Sequence, residues 1–168
     1  MAQDNSADSF SVPGSKWIGG SFRLSHNDFE GRFRTNYGTT VKYGKMISER
    51  SLIGFSVGYA RDENFVEDHV DQIILGIFGR SIRMKGERLG LFLEYGFQYT
   101  NMVSGGDISS IIIGVSPGIQ YALTDKFQIE AQFGVLGYQR ASSESSSSNS
   151  YFLNLNTNSL NIGFNYLF

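Results

Sequence analysis

The decisive stretch is Leu160-Asn161-Ile162-Gly163-Phe164-Asn165-Tyr166-Leu167-Phe168, which ends the chain on an aromatic residue. Every second residue is large and apolar, and most of those between are small or polar. Because successive side chains of a β-strand point to opposite faces, the stretch predicts a strand with one apolar and one mainly polar face. Such a strand either hides its apolar face in a soluble sheet sandwich or turns it to lipid in a transmembrane barrel.

The same alternation recurs along the chain and predicts about eight strands. They cover residues 16–25, 36–46, 52–61, 70–82, 89–100, 111–122, 127–138 and 159–168. Short polar turns at 48–50, 85–87 and 124–126 alternate with longer stretches at 26–35, 62–69, 101–110 and 139–150. Short turns at one end and long loops at the other are typical of an up-and-down membrane barrel.

One predicted strand and one predicted loop have local features of their own. Pro117 lies inside the sixth predicted strand and lacks the N–H that a ladder needs, so we expect a bulge or broken pairing there. The stretch 142–150 consists of serine with one glutamate and one asparagine, and its low complexity predicts a mobile, solvated loop.

Composition limits the classes of protein that need to be considered. The 168 residues suit one domain, and a formal charge of −2 gives no basic footprint for nucleic acid. The chain has no cysteine, which excludes disulfides and cysteine-ligated metals. It has no apolar run near the roughly 18 residues that a transmembrane helix needs. Its 20 glycines, 14 phenylalanines and 9 tyrosines favour a β-protein with close backbone contacts and large exposed rings.

The polar start Met1-Ala2-Gln3 is not a signal peptide. We interpret it as the start of a mature chain whose signal was removed, with Met1 added for expression. Residues 1–15 are then a flexible N-terminus and residues 16–168 a transmembrane β-barrel.

The two faces of the predicted strands decide which side is inside. A soluble barrel packs its large residues inward. In this chain the large apolar residues would overfill the lumen, so we expect small and polar residues inside and aromatic residues against lipid. An eight-stranded barrel has an interior that side chains can fill, which predicts a plugged lumen without an open aqueous channel. The fold class is therefore all-β: a monomeric, eight-stranded antiparallel up-and-down transmembrane β-barrel with periplasmic termini.

Charged and amide side chains fall on the predicted lumen face, where buried charges must pair. Arg80 and Glu94 lie on facing strands. The predicted polar network comprises Arg23, Lys42, Arg80, Glu94, Gln98, Gln120, Glu130 and Gln132. It either fills a plugged barrel or acts as a gate that opens when partners exchange.

Three segments resemble a known family. Ser116-Pro117-Gly118-Ile119-Gln120-Tyr121-Ala122-Leu123-Thr124-Asp125-Lys126-Phe127 resembles a hairpin of the bacterial outer-membrane β-barrel family, the small OmpX-like or OmpA-transmembrane-like barrels. Leu91-Phe92-Leu93-Glu94 and Gly134-Val135-Leu136-Gly137-Tyr138 do so too, and the resemblance covers most of 16–168. It implies no defined activity.

The resemblance also implies where the chain resides and how it gets there. The expected location is the bacterial outer membrane, with the lipid bilayer and lipopolysaccharide as partners. Insertion would use the barrel-assembly machinery, which reads the C-terminal strand. The assembly signal would comprise Gly163, Phe164, Tyr166 and Phe168.

Enzymatic and metal sites find little support in the sequence. A lipid-modifying barrel would need histidine with serine and an acid near the outer rim, but neither His26 nor His69 is followed by serine at the His-x-Ser spacing. We therefore expect no catalytic residue. The acidic stretch contains Asp62, Glu63, Glu67, Asp68 and Asp71. Oxygen ligands at such spacing could hold Ca²⁺ or bridge to lipopolysaccharide through divalent cations, but the stretch lacks EF-hand spacing. A solvated loop is therefore expected, with no metal and no cofactor.

The expected function is a structural or surface-interaction role carried by the external loops. A narrow or gated pore is the first alternative, because the predicted lumen is charged. An outer-membrane lipid-modifying enzyme is the second. A soluble ligand-binding barrel is the last, and it would need the aromatic face inside.

Overall fold

The computed structural model describes residues 12–29, 32–63, 69–104, 108–143, 146–154 and 160–168, with backbone alone at 25–29, 32–34 and 154. Its strands are β1 Lys16–Phe29, β2 Arg32–Ser48, β3 Ser51–Glu63, β4 His69–Met84, β5 Leu89–Met102, β6 Ser109–Ala122, β7 Phe127–Gln132, β8 Val135–Ser142, β9 Ser147–Asn154 and β10 Asn161–Leu167. Within these ranges no helix has the length and apolar character to cross a membrane.

The strands close into an eight-stranded antiparallel barrel of up-and-down topology, as the sequence predicts. Strands β1 to β6 pair in chain order. Both β7 and β8 pair with β6, so together they form the seventh wall of the barrel. The eighth wall consists of β9, paired with β8, and β10, paired with β7 and β1.

The large apolar side chains point outward. Phe55 is 53% exposed, Ile77 63% and Phe164 62%, and their neighbours on the same face are similar. An apolar surface that encircles the molecule far exceeds the patches that water-exposed surfaces carry, and it marks contact with lipid. The predicted orientation of the apolar face is confirmed, and a soluble barrel with its aromatic residues inside is excluded.

One irregularity in the wall lies opposite Pro117. Ser116 and Pro117 on β6 face residues 133–135, so the seventh wall carries one extra residue. Gly134 has a φ of 64°, the left-handed backbone that glycine adopts without a steric penalty. The carbonyl of Pro117 accepts a hydrogen bond from the N–H of Phe133 at 3.0 Å. The predicted bulge at Pro117 is confirmed, with the added residue on the neighbouring wall.

This bulge reverses the faces of the residues that follow it. The alternation placed Val135 on the apolar face of an unbroken strand 127–138, and that prediction is wrong. The bulge turns Val135 into the lumen, and Leu136 points outward with 58% of its surface exposed. A single inserted residue has this effect because side chains alternate with a period of two.

The described residues of the predicted long loops are largely strand. Pairing of β1 with β2 continues to Phe29 and Arg32, and β8 pairs with β9 from Val135–Asn154 to Ser142–Ser147. The N–H of Ser143 donates to the carbonyl of Ser146 at 2.8 Å and closes this last hairpin. The prediction of a loop is therefore wrong for the described residues of this stretch, because backbone pairing does not depend on the side chains. Residues 146–150 are exposed, as a solvated segment requires, and mobility stays a prediction. Residues 144–145 lie outside the described ranges.

The predicted flexible segment 1–15 is described only from Val12 onward. There Gly14 donates its N–H to the carbonyl of Met46 at 2.8 Å, and Lys16 donates to the carbonyl of Phe168 at 3.1 Å. These bonds attach the start of β1 to the end of the barrel that carries the turns at 49–50, 85–88 and 123–126, which we call the inner end. The opposite end is the outer end.

Candidate functional site in the barrel lumen

The inner end of the lumen is filled by apolar side chains. They form a single cluster, here the inner apolar layer: Trp17, Met46, Leu52, Phe78, Ile82, Phe92, Ala122 and Leu167. All are buried, with Leu52 1% and Met46 2% exposed. The expectation that only small and polar residues line the lumen is wrong at this end. Phe92 points inward between the outward residues Leu91 and Leu93, so its segment is apolar on both faces, and Trp17 points inward between Lys16 and Ile18.

An ionic layer of four side chains lies directly above. Arg80 Nη2 donates to Glu94 Oε2 at 2.6 Å, and Arg80 Nη1 donates to Glu130 Oε2 at 2.6 Å. Lys42 Nζ donates to Glu94 Oε1 at 2.7 Å. Lys42 and Glu94 lie on β2 and β5, which are not neighbours, so the layer bridges the lumen. Its cations and carboxylates balance, which is the condition for burying charge without a large cost.

Aromatic rings support the ionic layer from below. The Cζ atom of Arg80 lies 3.9 Å from the ring centroid of Phe92 and 5.4 Å from that of Trp17. The Nζ atom of Lys42 lies 5.1 Å from the centroid of Phe78. A cation over the face of an aromatic ring is attracted by the ring quadrupole. The inner apolar layer and the ionic layer thus form one continuous plug.

The sequence-predicted network residues divide into two groups. Arg80 and Glu94 face each other in the β4–β5 register, and Lys42 and Glu130 join them. Among the described residues, the hydrogen-bond partners of this ionic layer do not include Arg23, Gln98, Gln120 or Gln132. Gln98 donates instead to Thr100 Oγ1 at 3.3 Å.

Sequence reasoning missed one member of the network. Asn165 is 3% exposed and donates through Nδ2 to Glu130 Oε2 at 2.8 Å. The parity of the last strand placed Asn165 on its polar face. That signal marks the residue as inward-facing but does not identify its partner.

A cavity of about 480 Å³ occupies the outer part of the lumen above the ionic layer. We call it the outer cavity. Lys42 and Glu94 contribute to its floor, and its wall includes Arg23, Asn161 and Phe152. The wall has polar and apolar parts in similar proportion, and its polar part consists of serine, threonine, amide and charged residues that alternate with the lipid-facing ones.

Outside the barrel, a polar cluster lies beyond the outer edge of the apolar band. Arg61 Nε donates to Asp71 Oδ1 at 2.6 Å, Arg61 Nη2 donates to Oδ2 at 3.1 Å, and the Tyr59 hydroxyl donates to Oδ1. The Arg61 and Tyr59 hydrogen bonds lower the pKa of Asp71 to about 2. His69 Nε2 lies 3.8 Å from Asp71 Oδ2. Sequence reasoning missed this cluster, although Arg61 and Asp71 are directly paired in the β3–β4 register.

The expected solvated acidic loop is only partly described. Glu67 and Asp68 lie outside the described residues, as does the His26 side chain. Asp62 is 5% exposed, so its assignment to a solvated loop is wrong, and Asp71 is paired rather than free. Within the described ranges, no group of three or more histidine, aspartate or glutamate side chains could hold a metal ion.

By sequence, the chain matches no protein-family model and no curated protein at a significant level. By structure it is similar to small outer-membrane barrels. The outer membrane protein OprG from Pseudomonas aeruginosa is 11% identical, with a TM-score of 0.59 over 95% of this chain and 98% of that one. Neisserial surface protein A is 17% identical, with a TM-score of 0.54 over 92% and 97%.

The N-terminal β-barrel domain of Pseudomonas aeruginosa OprF is 14% identical, with a TM-score of 0.52 over 93% of this chain and 98% of that domain. The predicted resemblance to small outer-membrane barrels is therefore confirmed at the level of the fold. The lipid-facing band on the outside of the barrel agrees with the predicted location in a bacterial outer membrane.

Proposed function

We propose that this chain, which has the fold of the small outer-membrane β-barrels, does not conduct ions and acts through its outer hairpins. The supporting observation is the order of the layers in the lumen. The inner apolar layer lies below the ionic layer and contains no charged side chain. An exchange of salt-bridge partners would therefore still leave the inner end closed.

The outer hairpins support a surface-interaction role. The β3–β4 and β8–β9 pairs extend past the apolar band, as Arg61 paired with Asp71 and Arg140 paired with Asn149 show. Tyr138 Oη donates to Asn149 Oδ1 at 2.8 Å and its ring lies 5.2 Å from that of Tyr151. Cross-strand pairs of this kind hold a projecting hairpin in a fixed shape. Rigid projecting hairpins suit recognition of an external partner.

The remaining parts of the proposal follow from the same fold. The partners would be the lipid bilayer, lipopolysaccharide at the outer rim and the barrel-assembly machinery during insertion. The assembly signal would be Gly163, Phe164, Tyr166 and Phe168 in and after β10. We propose no enzymatic activity. Among the described side chains the one histidine is His69, whose ring lies 3.8 Å from Asp71 Oδ2, but Ser104 Oγ donates to its backbone carbonyl and not to its ring.

A planar-bilayer experiment tests the closed lumen. The full chain is folded in detergent and its compact state is verified by the mobility difference between boiled and unboiled samples. We expect no conductance steps from the wild type or from Glu94→Gln, which weakens only the ionic layer. We expect steps from a Trp17→Ala/Phe92→Ala double variant, which opens the inner apolar layer. Conductance in the wild type, or in Glu94→Gln alone, would show a narrow or gated pore instead.

A further inference from the structure

Two polar groups that line the outer cavity have no protein partner among the described residues. Arg23 lies on the lumen face of β1, and no ion pair among the described residues includes it. Asn161 Oδ1 is buried and accepts no hydrogen bond from any described group. A buried acceptor without a partner costs free energy, so a ligand that donates to Asn161 Oδ1 gains affinity there. Arg23 is exposed to solvent, so its guanidinium is free to pair with a ligand anion. They call for an anion at Arg23 and a donor at Asn161.

The rest of the polar wall is rich in side-chain amides. Gln98, Gln132 and Gln139 come from three different strands and line the same cavity. An amide offers donors and an acceptor side by side, which matches a hydroxyl group that both donates and accepts. A ligand with several hydroxyls can satisfy such a wall, and a ligand with only one polar end cannot.

Part of the wall is apolar. Ile112 on β6 and Phe152 on β9 line the cavity and are half-buried, although they lie on the lumen side of the barrel. If the cavity held only water, this apolar surface would not stabilise the protein, because it would remain hydrated. The C–H face of a sugar ring is apolar, and it packs against such side chains while the hydroxyls at its edge bind polar groups.

We propose that the outer cavity binds a small acidic sugar, whose carboxylate pairs with Arg23 and one of whose hydroxyls donates to Asn161 Oδ1. The cavity volume of about 480 Å³ is in the usual range for small-molecule sites. Lys42, the cation in the floor, is bound to Glu94, which leaves Arg23 as the anion-binding group. This inference concerns binding from the outer side and does not depend on whether the barrel conducts.

Calorimetric titration of the full chain in detergent tests the proposal. The ligands are D-glucuronate, which has both features, D-glucose, which lacks the carboxylate, and hexanoate, which lacks the hydroxyls. The variants are Arg23→Gln and Asn161→Ala. Arg83→Gln is the matched control, because Arg83 is exposed at the inner end of β4 and does not line the cavity. Each variant is first shown to keep the mobility shift of the folded barrel.

We expect D-glucuronate to bind the wild type and Arg83→Gln equally. Arg23→Gln should weaken binding by about tenfold or more, the loss expected when a charge-assisted hydrogen bond is removed. Asn161→Ala should weaken the binding of D-glucuronate less. The affinity of the wild type for D-glucose should equal the affinity of Arg23→Gln for D-glucuronate, because each pair lacks one partner of the same ion pair. Failure of D-glucuronate to bind, unchanged binding in Arg23→Gln, or equal binding of hexanoate would each overturn the proposal.

Discussion

Arg80 and Glu130 lie on β4 and β7, which are not neighbours in the barrel wall, and their side chains meet across the lumen at 2.6 Å. The other side of the same guanidinium reaches Glu94 on the adjacent strand at 2.6 Å. A planar guanidinium can serve two carboxylates at once, which a lysine ammonium does less well. Arg80 therefore holds opposite walls of the barrel together.

Replacing Arg80 should destabilise the barrel strongly. Arg80→Met leaves Glu94 and Glu130 buried with only Lys42 to balance them, and breaking a buried pair in this way costs about 3–5 kcal/mol. Arg80→Lys keeps the charge but loses the fork, so a smaller loss is expected. The measurement is urea unfolding in micelles, followed by the fluorescence of Trp17, the single tryptophan.

Arg83→Met is the control for this experiment, because Arg83 is exposed on the same strand. A loss for Arg80→Met no larger than the loss for Arg83→Met would contradict the account of the ionic layer.

The alternation of the strands predicts which face each residue takes, and little more. It placed Glu94, which lies between Leu93 and Tyr95, in the lumen, and the facing strand supplied Arg80. It could not identify Glu130 as the second partner, because contacts between non-neighbouring walls depend on how the barrel closes. The inner apolar layer was missed for a different reason. Around Phe92 both faces are apolar, and a period of two then carries no information.

Gly118 should not accept a larger residue without a loss of stability, because the Phe92 ring and the backbone of Ala131 occupy the space that a side chain would need. A Cβ atom there would lie 2.2 Å from Phe92 Cζ and 2.8 Å from the carbonyl oxygen of Ala131. The Phe92 ring cannot move away easily, since Arg80 lies against its face at 3.9 Å. Gly118→Ala should lower the free energy of unfolding by about 1–3 kcal/mol, as overpacking of a core does.

Gly20→Ala is the matched control in the same unfolding assay. A Cβ atom at Gly20 would have its nearest neighbour, the carbonyl oxygen of Thr40, at 3.5 Å, which is an ordinary contact. Its effect should be within about 0.5 kcal/mol. Equal effects at the two glycines would show that the plug is less tightly packed than the structure indicates.

The Arg61–Asp71 pair should keep the outer part of the β3–β4 hairpin intact to low pH. The pKa of Asp71 is about 2, below its ordinary value of 3.8. A carboxyl with a lowered pKa stabilises the folded state above its unfolded pKa, and this stabilisation is lost as the pH falls through the folded pKa. Titration of the Asp71 carboxyl carbon by NMR in micelles should therefore give a midpoint near 2.

Asp71→Asn should speed amide hydrogen exchange in residues 60–63 and leave the inner half of β3 unchanged. Glu87→Gln, at an exposed inner turn, is the control that should change neither region. A midpoint near 4 for Asp71 would mean that the pair with Arg61 does not persist in solution.

The bulge at Gly134 should be sensitive to the residue's backbone rather than to its side-chain volume. Its φ of 64° lies in the left-handed region, where a β-branched residue is strained and asparagine is tolerated better. Gly134→Val should cost about 1–2 kcal/mol, and Gly134→Asn clearly less. Residue 134 is the extra residue of this wall, so deleting it removes the bulge and leaves Val135 facing the outer cavity and Leu136 facing lipid. Without residue 134, Phe133 on the lipid face is followed directly by Val135 on the lumen face, which is the regular alternation of a strand, so the deletion should cost less than Gly134→Val. Unfolding free energies that rank the deletion as more harmful than Gly134→Val would mean that the bulge itself stabilises the wall.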